Sequence, residues 1–300
     1  MELALYETRQ QMQALVPGDI RPHGNGHRPT PAYEWGNILD RMMINLYNGV
    51  TGAMDKAREE ARDKHLPADV VDRAEALLRA HRMKEADRKA RGVKTPRITS
   101  KMLPDRETRE MYVFLKQKFA LAKLAAAARE DELTRCVLRY ASLGQGGQQW
   151  ALNRAMMARV KKAGIQIEAF ASPFNNYFPR FFSIFRADAP FGSLGSFFSI
   201  PVDELVKLVK KFGLYANPPF TAAALEAMSL RIEEVVQRAP DARIAVITPT
   251  WTDAAWYARL DRICKRTEKR DEAYFSLGEE FRPRFTTSLW THGVDAAALL

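Results

Sequence analysis

Ile165-Gln166-Ile167-Glu168-Ala169-Phe170-Ala171 runs straight into Ser172-Pro173-Phe174-Asn175-Asn176-Tyr177-Phe178, and this passage decides the fold. Apolar and polar residues alternate in its first part, the two-residue period of a strand. Its second part is small, polar and marked by a proline, the composition of a turn. Helical text precedes it: a helix around Asp131–Tyr140, a loop from Ala141 to Gln149 with three glycines, and a helix over Ala151–Ala163 closed by Gly164. A strand that passes into such a turn amid helices is the unit of a doubly wound α/β domain, whose ligands sit outside the carboxyl ends of the strands. There is no GxGxxG, so a dinucleotide fingerprint is absent.

Further along, the aromatic lead-in Phe212-Gly213-Leu214-Tyr215-Ala216 opens into Asn217-Pro218-Pro219-Phe220, with a helix predicted over Ala222–Arg238. Neither proline has a backbone N–H, so the turn offers carbonyl acceptors and the Asn217 amide, and the rings fix φ before anything binds. Phe220 adds a face on which a flat heterocycle can stack. The arrangement suits an exocyclic amine such as N6 of adenine. The Asn217 side-chain oxygen and the Pro218 carbonyl would hold both amine hydrogens, so that catalysis comes from orientation. A rigid loop between a strand and a helix is the plainer reading of the same four residues. A second strand, Ala242–Ile247, ends in Thr248-Pro249-Thr250-Trp251. Three strand ends, at 171–175, 217–220 and 248–251, would then share one rim of a parallel sheet. Phe191-Gly192-Ser193-Leu194-Gly195 is a glycine turn flanked by rings, and Asp188 before it is a candidate partner for ribose hydroxyls.

The chain has 300 residues, 46% hydrophobic and 27% charged, a globular composition with length enough for a sizeable core. Its formal net charge of +10 points to a polyanionic partner. The surplus is clustered: Arg79–Lys118 holds thirteen Lys and Arg against five Asp and Glu, densest over Arg88-Lys89-Ala90-Arg91-Gly92-Val93-Lys94-Thr95-Pro96-Arg97. The glycine and proline there predict a loop between helices. That loop is either a solvated charged face or part of a module that grips phosphates. The first half otherwise reads as helices, over 1–16, Tyr33–Glu60, from Pro67 onward and over Asp105–Ala128, with a turn-forming stretch at Arg21–Pro31. A basic tail, Arg259–Arg284, would form a second wall of a nucleic-acid groove. Cys136 and Cys264 show neither disulfide nor zinc spacing, and the five histidines are scattered, so no metal is expected. No signal pattern or membrane span is read, and an intracellular location, nuclear or cytoplasmic, is expected.

From Arg139 to Trp251 the sequence resembles the phosphorylated CTD-interacting factor family, the cap-specific adenosine N6-methyltransferases. The resemblance rests, in order and spacing, on Arg139-Tyr140, Gly147-Gln148, Phe170-Ala171-Ser172-Pro173-Phe174-Asn175, Tyr177-Phe178, Phe191-Gly192-Ser193 with Gly195, Asn217-Pro218-Pro219-Phe220, and Pro249 with Trp251. It implies a helical domain, 1–130, followed by a Rossmann-like methyltransferase domain, 131–300. It also implies S-adenosylmethionine as methyl donor, and the first transcribed, 2′-O-methylated adenosine of capped messenger RNA as substrate. Asn217, Pro218, Pro219 and Phe220 would then form the catalytic turn. Ala171, Ser172, Pro173, Phe174 and Asn175, with Asp188, Gly192 and Ser193, would line the cofactor site. From the clustering of charge, and not from the resemblance, Arg88, Lys89, Arg91, Lys94 and Arg97 are expected to meet RNA, together with Trp251.

The sequence departs from the family in three respects, the first being that the tail beyond Asp261 matches poorly. Thr250 stands where an acidic residue is common. No short three-stranded unit with two spaced tryptophans is read, so no WW domain is seen and the tail of RNA polymerase II is not expected as a partner. Beside a cap-directed RNA methyltransferase stand a DNA or uncapped-RNA adenine methyltransferase, and an inactive nucleic-acid-binding protein on the same scaffold.

Overall fold

A computed structural model describes residues 2–13, 31–48, 53–63, 68–93, 96–119, 125–143, 149–269, 274–276, 279–281 and 286–299. The chain divides into two compact units, one ending at Gly146 and one running from Gly147.

The described part of the first unit is helical: α1 (Glu2–Gln13), α2 (Pro31–Asn48), α3 (Ala53–Asp63), α4 (Ala68–Ala90), α5 (Arg106–Lys118) and α6 (Ala126–Ala141). Helical spacing puts Ile38, Leu39, Met42 and Met43 of α2 in its core, with Leu5, Leu115, Leu133 and Val137. Arg9 and Asp40 form a buried ion pair at 3.3 Å. The helix expected over Asp105–Ala128 is shorter. Asp105 caps α5 by accepting from the Thr108 amide at 2.8 Å, but α5 stops at Lys118, and α6 carries the residues beyond Ala125. Helix α6 also runs through the position at which the domain boundary is expected.

The basic stretch is only partly a loop. Arg88 and Lys89 occupy the last turn of α4, where positive charge meets the unpaired carbonyls of the helix end, and Gly92, at φ 65°, follows the turn. The chain beyond is tied to α6: the amides of Ile98 and Ser100 donate to Asp131 at 2.6 Å and Glu130 at 3.1 Å. Arg135 links Asp131 at 2.9 Å, Glu2 at 2.9 Å and the Pro96 carbonyl at 2.6 Å. Lys94 lies outside the described residues.

The second unit is mixed α/β. Its elements are β1 (Ala151–Leu152), α7 (Arg154–Lys162), β2 (Ile167–Glu168), β3 (Arg180–Phe181), α8 (Val202–Phe212), β4 (Leu214–Ala216), α9 (Ala222–Arg238), β5 (Ile244–Pro249), α10 (Ala255–Ile263), β6 (Lys265–Lys269), β7 (Tyr274–Ser276), β8 (Glu279–Phe281) and β9 (Thr287–His292). Six strands form one sheet in the order β3-β2-β4-β5-β9-β6. The first four are parallel, and β9 lies antiparallel between β5 and β6.

Both faces of this sheet are covered, which is why β5 is buried at all six positions. Ile244 and Val246 pack among Leu205, Leu225, Ile232 and Leu260 from α8, α9 and α10. Ala245 and Ile247 pack with Met156, Met157 and Val160 of α7. Between α8 and β4 the backbone turns at Gly213, φ 65°, where a side chain would press on Gly164 and Ile165. The helix expected over Ala151–Ala163 starts later, because Ala151 and Leu152 pair with Phe275 and Tyr274, and Asn153 caps α7 through the Met156 amide at 2.8 Å.

Burial alone would raise the Asp105 carboxyl, but hydrogen bonds from Thr108 and Tyr6 and the charge of Arg109 hold it below the usual range. A lowered folded-state value means stability present above the unfolded value and lost as pH falls through the folded one. Asp105→Ala should therefore lower stability by about 1 kcal/mol at neutral pH. Urea melts of the full chain should show this difference shrink to nothing in acid, below the range where carboxylates titrate.

Candidate functional site

Strand β2 pairs with β3 on one side and with β4 on the other; Glu168 stands opposite Phe181 and Tyr215. The order reverses between β2 and β4, and such a reversal opens a crevice beyond the carboxyl ends of the two strands. The residues leaving those ends are the two turns singled out in the sequence, Ala171–Asn175 and Asn217–Phe220. Because β5 lies next to β4 and parallel to it, Thr250 and Trp251 leave from the same rim.

The turn after β2 is held from within. Its Ser172 amide donates to Asn175 Oδ1 at 2.7 Å, while Ser172 Oγ accepts from the amides of Phe174 at 3.1 Å and Asn175 at 3.3 Å. Those two bonds fill the lone pairs of the hydroxyl, and its proton goes to Gln149 Oε1 at 2.5 Å, with Asn175 Oδ1 a more distant acceptor at 3.1 Å. Glu168 Oε1 accepts from the amides of Tyr177 at 2.6 Å and Phe178 at 2.7 Å. Ala171 is half-buried and donates to the Phe182 carbonyl at 3.0 Å; Pro173 and Phe174 are buried.

The turn after β4 has Pro218 buried, Pro219 exposed, and Asn217 and Phe220 half-buried. Asn217 Nδ2 donates to the Trp150 carbonyl at 3.2 Å, and Asn175 Nδ2 reaches the same oxygen at 3.4 Å. A carbonyl only accepts, so it fixes both side-chain amides with nitrogen toward Trp150. Among the described residues Asn217 Oδ1 accepts no hydrogen bond, and it is left as an open acceptor. The Phe220 ring stands edge-on to Trp150, with centroids 6.5 Å apart.

The other predicted residues are placed differently. Ser193 bridges to Phe181 of β3, on the far side of β2 from β4, and its hydroxyl pairs with Ser183 at 2.7 Å. Gly192 has φ 102°, and a Cβ there would lie 2.4 Å from the Pro179 carbonyl. Asp188 is wholly buried in a 3-10 turn, Arg186–Phe191. Trp251 is half-buried edge-on to Trp256, with centroids 6.1 Å apart, and Thr250 bonds Ser288 of β9 at 3.0 Å.

Arg88, Lys89, Arg91 and Arg97 belong to the first unit, where Lys89, Arg91 and Arg97 are exposed and Arg91 is paired with Asp87 at 2.9 Å. The expectation of a groove wall in the basic tail is corrected for its first arginines, which are spent on ion pairs and stacking. Arg259 holds Glu226 at 2.7 Å, Arg262 holds Glu233 at 2.9 Å, and Arg266 donates to Tyr257 at 2.6 Å. Arg270, Arg282 and Arg284 lie outside the described residues. Cys264 offers no nucleophile, since burial pushes its thiol up to about 12. Among the described residues no cluster of His, Cys, Asp or Glu could hold a metal, and no helix is long and apolar enough to cross a membrane.

Sequence reasoning missed Gln149, Trp150 and Glu168. The one signal for Glu168 was an acid at a polar position of an alternating strand, close before the turn.

The family described as phosphorylated CTD interacting factor 1 WW domain matches residues 109–270, more than half of the chain. The match runs from α5 through α6, both turns and the four parallel strands to β6. It overturns the reason for excluding the polymerase tail, because the family covering these residues is itself described by a WW domain and a phosphorylated CTD. A search for two tryptophans in a short β unit could not detect this. The similarity is spread over residues 109–270, in which Trp150, Trp251 and Trp256 are set apart.

Glu168→Ala would leave two amide donors of the turn without their acceptor, at a cost of roughly 1–3 kcal/mol. Hydrogen exchange at Tyr177 and Phe178 should quicken by about tenfold or more, while exchange in α9 should stay unchanged.

Proposed function

The chain belongs to the phosphorylated CTD interacting factor 1 WW domain family, and from that premise we propose that it transfers a methyl group from S-adenosylmethionine to the N6 amine of adenosine in RNA, at or near a capped 5′ end. The observation that carries this reading is the Asn217 amide, turned by the Trp150 carbonyl so that its oxygen is left open, on the turn that also carries the Phe220 ring. The strand order supports a Rossmann-like methyltransferase domain, since the turn sits where parallel strands reverse direction of addition.

The residues fit the methyl donor. Phe198, 46% exposed, packs on Phe170 at 5.5 Å near the carboxyl end of β2 and offers an apolar face to a purine. The turns themselves, Ala171–Asn175 and Asn217–Phe220, contain no ionisable side chain. When bound, S-adenosylmethionine supplies an electrophilic methyl carried on a sulfonium. Asn217 Oδ1 and the Pro218 carbonyl accept the two N–H bonds of the amine and turn its lone pair out of the ring plane. Phe220 holds the base, and the proton released from the methylated nitrogen passes to solvent. Orientation in a fixed polar setting carries the rate. A 5′-terminal nucleotide is unstacked on one side, so presenting it to the turn costs little. The exposed cations Lys89 and Arg97 of the first unit suit the phosphates of a nucleic acid.

The wording of the family description favours a second reading, binding of the phosphorylated CTD, which a phosphorylated peptide tests beside the oligonucleotides. A panel of capped RNA, uncapped RNA and single-stranded DNA, with the methylated atom located by mass spectrometry, should give N6-methyladenosine on capped RNA. Methylation of DNA alone, or of none with the donor bound, would replace the proposal. Asn217→Ala should remove at least about 99% of turnover and leave donor affinity by calorimetry within about twofold of the parent. Replacing Arg88, Lys89, Arg91 and Arg97 by Ala should weaken RNA binding and flatten its salt dependence; an unchanged slope would mark the stretch as solvated surface.

A further inference from the structure

Four groups from the two turns converge on one dipeptide that neither turn contains. Gln149 Oε1 takes the Ser172 hydroxyl proton at 2.5 Å. The Trp150 carbonyl takes Asn175 Nδ2 at 3.4 Å and Asn217 Nδ2 at 3.2 Å, and the Trp150 ring meets Phe220. Gln149 is buried, and Trp150 is fixed in turn against Tyr274 at 6.1 Å. Both asparagines are therefore oriented by a single atom. Asn175 is doubly determined, since its Oδ1 must face the Ser172 amide while its nitrogen faces Trp150. Asn217 is set by Trp150 alone among the described residues. Without that carbonyl its amide is free to rotate by half a turn and present hydrogens where an amine needs an acceptor.

We propose that Gln149 and Trp150 are positioning residues, a strap that joins the turn after β2 to the turn after β4 and sets the Asn217 oxygen toward the acceptor amine. The proposal rests on the methyltransferase reading for what the oxygen does, but not for how it is oriented. The bond from Ser172 anchors the strap at Gln149, so removing that acceptor lets the neighbouring carbonyl move away from both asparagines.

The test uses the full chain with asparagine labelled in nitrogen-15. The side-chain amide signals of Asn175 and Asn217 are assigned from Asn175→Ala and Asn217→Ala. In Gln149→Ala both signals should shift with no ligand present, and in Gln149→Glu, which keeps an acceptor oxygen, they should stay close to the parent positions. In methyl transfer to the capped oligonucleotide, Gln149→Ala should lower kcat by about tenfold, the worth of one hydrogen bond, with KM for RNA changed less than about twofold. Gln149→Glu should recover most of that loss. Amide signals unmoved in Gln149→Ala, or a change in KM alone, would overturn the strap. If the parent protein methylates nothing, the proposed function falls, and the strap then stands or falls on the amide signals alone.

Discussion

A buried carboxylate at the end of one short strand underlies the arrangement of the second unit. Glu168 lies in the middle of the parallel ladder, opposite residues of both β3 and β4, and is 5% exposed. A carboxylate in that position is tolerable only if hydrogen bonds replace the water it has lost. The amides of Tyr177 and Phe178 do so, and the chain must fold back over the strand end to deliver them. That return path forms the turn from Ser172 to Asn176, whose remaining amides are satisfied by Ser172 and Asn175 themselves. Strand, acid and turn are one device at the point where the strand order reverses beside β4.

The first unit shows acids and bases used in a complementary way. Its basic segment reads from composition as a free surface, yet the acids of α6 hold the chain just beyond it. Glu130 and Asp131 bind the Ile98–Ser100 backbone, and Arg135 locks Asp131 to α1. Asp131, raised by its partial burial but stabilised more by Arg135 and the Ile98 amide, keeps its carboxyl below the ordinary range. Cations near 88–97 thus project from an anchored segment, and net charge alone does not reveal that anchoring.

Local signals made some elements legible and long-range pairing hid others. Helix α9 was readable to the residue because Thr221 caps it and the prolines before it forbid an earlier start. Strand β2 was readable from the alternation over 165–171, of which only Ile167–Glu168 pairs as strand, and β5 from its apolar run, each with the turn that ends it. Strand β1 was not, because two residues acquire strand geometry only by meeting β7, more than a hundred positions later. Strand β6, Lys-Arg-Thr-Glu-Lys, has no apolar period at all; it is an edge strand, ordered by its ladder to β9. At the site, the asparagine and prolines announced themselves by type. The carbonyl that orients the asparagine could not, since every residue carries one and only the fold brings Trp150 to it.

The position of β9 has a bearing on how the sheet is assembled. Strand β6 lies next to β9 and not next to β5, although β9 follows it in the chain. As the polypeptide emerges in order, β5 is completed with its later edge unpaired, and β6 has no neighbour until Thr287–His292 arrives. Trp290, fully buried and bonded to Thr248 at 2.8 Å, then enters as a wedge between strands already made. Closure of the sheet therefore waits for Thr287–His292, and until that strand arrives the edge of β5 is unpaired and open to other strands.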